Sequence, residues 1–224
     1  RLLVGPAFTG LFPGVLRLVA WGLLAGARAP RDWTGARRPV DVYDAKAAAE
    51  VALSALGAPV DRLLTLRNAP EWLHPGRSAQ LCLGPKNALA WFGEMHPKAL
   101  EAMDLKGPAA AFGVYVEAVP EPRAKGASRG ALEASDYQAV ERDFAFVMDA
   151  EAEAEALLRA ARGADKQLIE SATIFDVFEG ESLGEGRKSV ALSVRLQPRD
   201  RTLTDEEIDA VAAKVVKAVE KATG

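Results

Sequence analysis

Two histidines, one cysteine and a scatter of carboxylates are what this 224-residue chain offers for conventional catalysis. His74 and His96 stand 22 positions apart, each followed by proline, with Glu94 and Asp104 among the acids near them. A metal or acid–base role for either would need further partners. Cys82 sits alone in the apolar context "LCL", which excludes an internal disulfide and a multi-cysteine zinc site within one chain. The stretch "HPGRSA" (74–79) places Arg77 and Ser78 beside a glycine, but it lacks the glycine spacing and the lysine of a phosphate-cradling loop. No residue is assigned to catalysis or to a metal.

The denser chemistry lies further on. Between positions 187 and 201 five cations, Arg187, Lys188, Arg195, Arg199 and Arg201, face one acid, Asp200, in a chain of net charge −3. After Ser135 there are 12 Lys and Arg against 19 Asp and Glu, which excludes a general polyanion binder and makes any nucleic-acid contact local. From Ser189 to Gln197 the residues alternate. Val190, Leu192, Val194 and Leu196 fall on one side, and Ser189, Ala191, Ser193, Arg195 and Gln197 on the other. That is the period of a half-buried strand. Thr204 and Glu207 then form a capping box that opens a helix over 204–222, with Ile208, Val211, Ala212, Val215, Val216 and Val219 on one stripe.

These residues need elements to position them. A strand at 142–149 leads to a helix capped near Asp149, running to about Arg162 and stopped by Gly163. A strand at 168–178, the turn "EGESLGEG", a strand at 188–197 and the helix 204–222 follow. The order βαββα is one strand short of a split βαβ, or ferredoxin-like, sandwich. The chain stops at Gly224 where that strand would begin, so a truncation or lost tail is expected. In such a two-layer sandwich helices cover one face of the sheet and leave the other free. Phe144, Phe146 and Met148 are expected to face the helices together with Phe175 and Val177. Ala145, Asp176, Phe178, Ser189 and Arg195 then share the free face, rimmed by Arg187, Lys188, Arg199 and Arg201. A small residue, an aromatic plate, hydrogen-bonding groups and cations together suit an unpaired RNA base.

The first half reads as a mixed α/β region. Strands are expected at 2–8, 16–26, 61–67, 79–83, 88–93 and 109–118, a helix from Tyr43 to Leu56 behind Asp41, and a short helix near Pro97, with "LHPGRSA" and "GEMHP" in connections. Residues 119–135, rich in Pro, Gly, Ala and charge, read as a linker. The apolar run 11–27 is shorter than the roughly 20 residues of a membrane span, carries Arg17, and is broken by Pro13, Gly14, Gly22 and Gly26. With 49% hydrophobic and 26% charged residues the composition is that of a soluble globular protein. Arg1, with no Met before it, points to a piece of a longer polypeptide.

"LHPGRSA" (73–79), "FGEMHP" (92–97), "RDFAFV" (142–147), "IFDVFEG" (174–180) and "KSVALSVRLQPRDRTLTDEEI" (188–208) occur in that order, after "DVYDAKAAAEVALSALG" (41–57). Together they resemble the C-terminal portion of the β subunit of bacterial phenylalanine–tRNA ligase. The resemblance implies an α+β chain in two modules. Residues 1–120 would be part of a catalytic-like domain, a class II synthetase fold without its active site, and 135–224 a ferredoxin-fold anticodon-binding domain lacking its last strand. It implies pairing with a catalytic α subunit in an (αβ)2 heterotetramer in the cytoplasm, contact with tRNA(Phe), and ATP and Mg2+ bound at the α subunit with no cofactor in this chain. It also implies base contacts from Ala145, Asp176, Phe178 and Ser189, with Lys188 and Arg195 attracting phosphates. The family usually has Tyr at the position of Phe178, so a stacking ring is kept and a hydroxyl lost, and the resemblance makes both histidine motifs structural turns. The strand before "MHP" places Met95 after Glu94 where a class II active site needs an adenine-stacking Arg, so the chain is expected to be inactive by itself. Two other readings remain open from the residues: a ferredoxin-like small-molecule regulatory module, and an assembly domain without RNA contact.

Overall fold

A computed structural model describes residues 2–8, 16–29, 33, 37–121 and 135–223. The chain divides into two compact units, 1–127 and 128–224. Positions 122–134 of the expected linker lie outside the described residues, as do 11–15 of the apolar run. No helix among the described residues is long and apolar enough to cross a membrane.

The first unit is an antiparallel sheet of six strands: β1 (Leu2–Phe8), β2 (Leu16–Ala25), β3 (Leu64–Leu66), β4 (Leu73–Cys82), β5 (Ala88–Met95) and β6 (Ala109–Tyr115), in the order β1-β2-β6-β5-β4-β3. Helix α1 (Val42–Ala55) packs its small stripe, Ala45, Ala49 and Leu53, on a cluster containing Phe92, Ala110, Phe112 and Val114. Asp41 begins the helix by accepting hydrogen bonds from the amides of Tyr43 and Asp44, and Asp44 accepts from the Asp41 amide in return. Gly57, at φ +81°, follows the helix in the left-handed region. Asp44 is buried, yet its carboxylate receives both guanidinium nitrogens of Arg38 at 2.7 Å and a bond from Arg28. Arg38 first, then the Asp41 amide and Arg28, hold this carboxyl well below the usual carboxylate range against the opposing effect of burial.

Trp91 lies on the other face with Leu73, and Trp72 meets its ring edge-on at 4.6 Å between centroids. Gly113 pairs with Trp91 across β5 and β6, where a Cβ would fall 2.3 Å from the indole. Only glycine leaves room for that ring.

Two expected connections prove to be strand. Gly93, Glu94 and Met95 of "GEMHP" end β5. "LHPGRSA" is part of β4 itself rather than a connection, and the register slips between Leu73 and Ser78. Pro75 has no amide to donate, and the irregularity takes it out of the ladder. His74, inside β4, and His96, just after β5, each accept on Nδ1 an amide hydrogen from two positions on, Gly76 and Lys98 respectively, at 3.1 Å. His96 thereby caps the short helix α2 (Pro97–Ala102).

The second unit contains β7 (Val140–Asp149), helix α3 (Ala154–Gly163), β8 (Ile169–Phe178), β9 (Arg187–Leu196) and helix α4 (Asp205–Thr223). Its strands run antiparallel in the order β7-β9-β8, the arrangement of a ferredoxin-type sandwich. Val190, Leu192, Val194 and Leu196 are buried against Leu157 and Ala161 of α3 and Ile208, Val211, Val215 and Val219 of α4. Each such side chain contributes on the order of 2 kcal/mol by leaving water. The capping box forms: the Thr204 amide donates to Glu207, and the Glu207 amide to the Thr204 hydroxyl. Asp149 does not cap α3, which begins at Glu153 without a side-chain cap.

Candidate nucleic-acid interface

Because β7 and the end of β8 both pair with β9, residues facing away from the helices line up in rows across the sheet. One row joins Ala145, Ala191 and Asp176, and the next joins Val147, Ser189 and Phe178. The four positions expected to meet a base therefore fall in two adjacent rows of one face, with alanine as the floor beneath the carboxylate. Phe178 is 51% exposed, and Asp176 and Ala145 are exposed as well. Asp176 has no hydrogen-bonded or ionic side-chain partner among the described residues. An acceptor of this kind, beside an aromatic ring, fits the amino edge of an unstacked base.

The Phe178 ring rests on Gly180, where a Cβ would lie 2.7 Å from ring atom Cζ. Gly180 has φ −167°, extended backbone that any residue adopts. The ring, not the backbone, is what demands a glycine there.

The cation cluster separates into different roles. Lys188 Nζ donates to the carbonyls of Ala150 and Ala152 at 2.7 and 2.8 Å, so it clamps the turn between β7 and α3. Arg195 donates to Glu170 at 2.7 Å and to Glu141 at 3.2 Å, and Glu170 first and Glu141 second raise its pKa. Arg201 pairs with Glu207 of the capping box. Arg187 and Arg199 remain exposed, with no ion pair among the described residues. Lys188 and Arg195 are thus engaged by internal partners, whereas Arg187 and Arg199 are the exposed cations of the cluster without an ion pair among the described residues.

The orientation of Phe175 differs from the expected one. Phe175 is 58% exposed and lines an open concavity of about 470 Å³ with Glu141, Arg142, Asp143 and Ser193, on the free face of the sheet. The cause is a break in register between Ile174 and Asp176. Ile174 faces the helices opposite Leu192, while Asp176 stands opposite Ala191, which lies on the other face. One extra residue is needed for that reversal, and Phe175 is that residue. Val177 pairs with buried Val190 but is itself half exposed at the end of β8. Phe175, Val147 and Gly180 were not among the expected site residues. Alternation in the sequence held no signal for Phe175, because the break that turns it outward appears only in the pairing of β8 with β9.

In the first unit Arg77 pairs with Glu94 at 2.6 Å, which occupies the guanidinium that "HPGRSA" offered to an anion. Among the described residues no three His, Cys, Asp or Glu side chains converge to hold a metal ion.

Residues 135–224 match the ferredoxin-fold anticodon binding domain, and residues 17–116 match the phenylalanyl tRNA synthetase beta chain CLM domain. Phenylalanine–tRNA ligase beta subunits of Cereibacter sphaeroides, Ruegeria pomeroyi and Brucella abortus are 59%, 56% and 50% identical to this chain over 99%, 98% and 99% of its length. The chain spans 28%, 27% and 28% of these relatives. A six-stranded CLM-type unit followed by an anticodon-binding sandwich, in a sequence at least half identical to such proteins from end to end, places the chain in the phenylalanine–tRNA ligase beta subunit family.

Proposed function

We propose that this chain is a non-catalytic part of a phenylalanine–tRNA ligase β subunit, in which the second unit grips the anticodon of tRNA(Phe) and the first supports a catalytic α subunit. The observation that carries it is the coincidence of Ala145, Asp176, Ser189 and Phe178 in two neighbouring rows of an uncovered sheet face. Phe178 stacks on a base, Asp176 accepts from that base's edge, Ala145 leaves it room, and Ser189 supplies a hydroxyl beside the ring. Lys188 and Arg195 keep the frame rigid through their internal partners, and Arg187 and Arg199 attract the backbone. The first unit is the class II-like domain without an active site: Met95 stands where an adenine-stacking Arg is needed, and Glu94 is engaged by Arg77. ATP and Mg2+ belong to the α subunit, and two αβ pairs form the working enzyme in the cytoplasm.

Titration of the 224-residue chain with an anticodon stem-loop of tRNA(Phe), set against free amino acids, tests the reading. Saturable binding of the loop that weakens as salt rises, with none of the amino acids, is the expected outcome. Amino-acid binding without loop binding would assign the sandwich to small-molecule regulation instead.

A further inference from the structure

The free face carries a second aromatic ring that the anticodon contacts above do not use. Phe175 is more exposed than Phe178, and it reaches that face only because the break in register turns it there. Three residues along a strand separate the two rings by roughly 10 Å at about 3.3 Å per residue. Next to Phe175, Asp143 and Ser193 stand opposite each other across β7 and β9, with Thr173 completing the row. Asp143 has no ion-pair partner among the described residues, so its carboxylate is available as an acceptor. The concavity that Phe175, Asp143 and Ser193 line with Glu141 and Arg142 is mixed in charge, and Glu141 is already paired with Arg195. Carboxylates repel phosphates but accept from the amino and imino groups of bases. Such a surface therefore favours the flat face and edge of a nucleotide over its backbone. Uncovered sheets that display several aromatics bind successive unstacked bases in the same manner.

We infer that Phe175 is a second stacking platform, which binds another unstacked nucleotide of the anticodon loop beside the one held by Phe178, with Asp143 and Ser193 reading its edge. The inference rests on the anticodon-binding reading and extends the recognised RNA along β8. A ring this exposed supports little of the core, so its removal is expected to leave the fold intact.

The test is the affinity of the full 224-residue chain for the anticodon stem-loop, measured for Phe175→Ala, Phe175→Tyr and Phe178→Ala beside the unaltered protein. Phe175→Ala should weaken binding about tenfold, the effect of one lost base–aromatic stack. Phe175→Tyr, which keeps a ring, should restore it. If Phe178→Ala weakens binding and Phe175→Ala does not, the second platform is refuted while the anticodon reading stands. If the unaltered chain binds and neither alanine variant changes its affinity, the RNA lies elsewhere and both fall, as they do if the unaltered chain binds no loop. If Phe175→Ala changes the mass of the chain in solution and not its RNA affinity, the ring is covered by protein, which also overturns the inference.

Discussion

Phe178 and Gly180 form the smallest working part of the proposed interface. The ring lies against a position with no Cβ, while the backbone there is extended and tolerant of any residue. Gly180→Ala should therefore leave the fold and its melting temperature unchanged, yet push the ring off its seat and weaken loop binding about fivefold, a fraction of one stack. A fall in stability with unchanged affinity would mean that the glycine serves the turn rather than the ring. Lys188 makes the opposite case. With its ammonium bonded to the carbonyls of Ala150 and Ala152, Lys188→Met should cost about 1–3 kcal/mol in calorimetric unfolding. The slope of RNA affinity against salt should not move, whereas loss of a true phosphate contact lowers it by about one.

Most elements were legible because burial writes a period into the sequence. The alternation of β9, the stripe of α4 and the Thr204–Glu207 cap all correspond to local physical requirements, and each is found where its pattern stood. Two features were not legible in that way. In β4 a His-Pro-Gly segment resembles a loop because proline cannot join a ladder, but a slipped register lets the strand pass through it. In β8 the break at Phe175 changes which face each later residue occupies, so Asp176 and Phe178 were placed on the free face and Phe175 was assigned to the wrong one. The partners of Lys188 and Arg195 were also out of reach, since Ala150, Ala152, Glu141 and Glu170 are brought near them only by folding.

Helix α1 gives a prediction of its own. The Asp44 carboxyl titrates below its ordinary value because Arg38 and Arg28 bind its charged form, so the unfolded chain takes up its proton first as pH falls. Its stabilisation is complete above the unfolded pKa of about 3.9 and disappears as the solution is acidified below that, toward the folded value. All four tryptophans lie in the first unit, so their fluorescence reports its unfolding separately. Asp44→Asn should lower the melting temperature at neutral pH by the equivalent of about 2 kcal/mol and flatten the decline below pH ~4. An unchanged acid limb in the variant would show that other carboxylates set it.

At the scale of the molecule, acids outnumber bases, so the proposed RNA contact is confined to one restricted surface of the second unit. Phe178 is proposed to stack on an anticodon base while the chain takes no part in activating the amino acid. Phe178→Ala, introduced into the complete ligase with its α subunit, tests this most directly through two readouts. The KM for tRNA(Phe) should rise roughly tenfold or more, from a lost stack of about 1–3 kcal/mol, with phenylalanine-dependent pyrophosphate exchange unchanged. Unaltered tRNA kinetics in a folded variant would contradict the claim and leave Phe178 as a ring that packs only on Gly180.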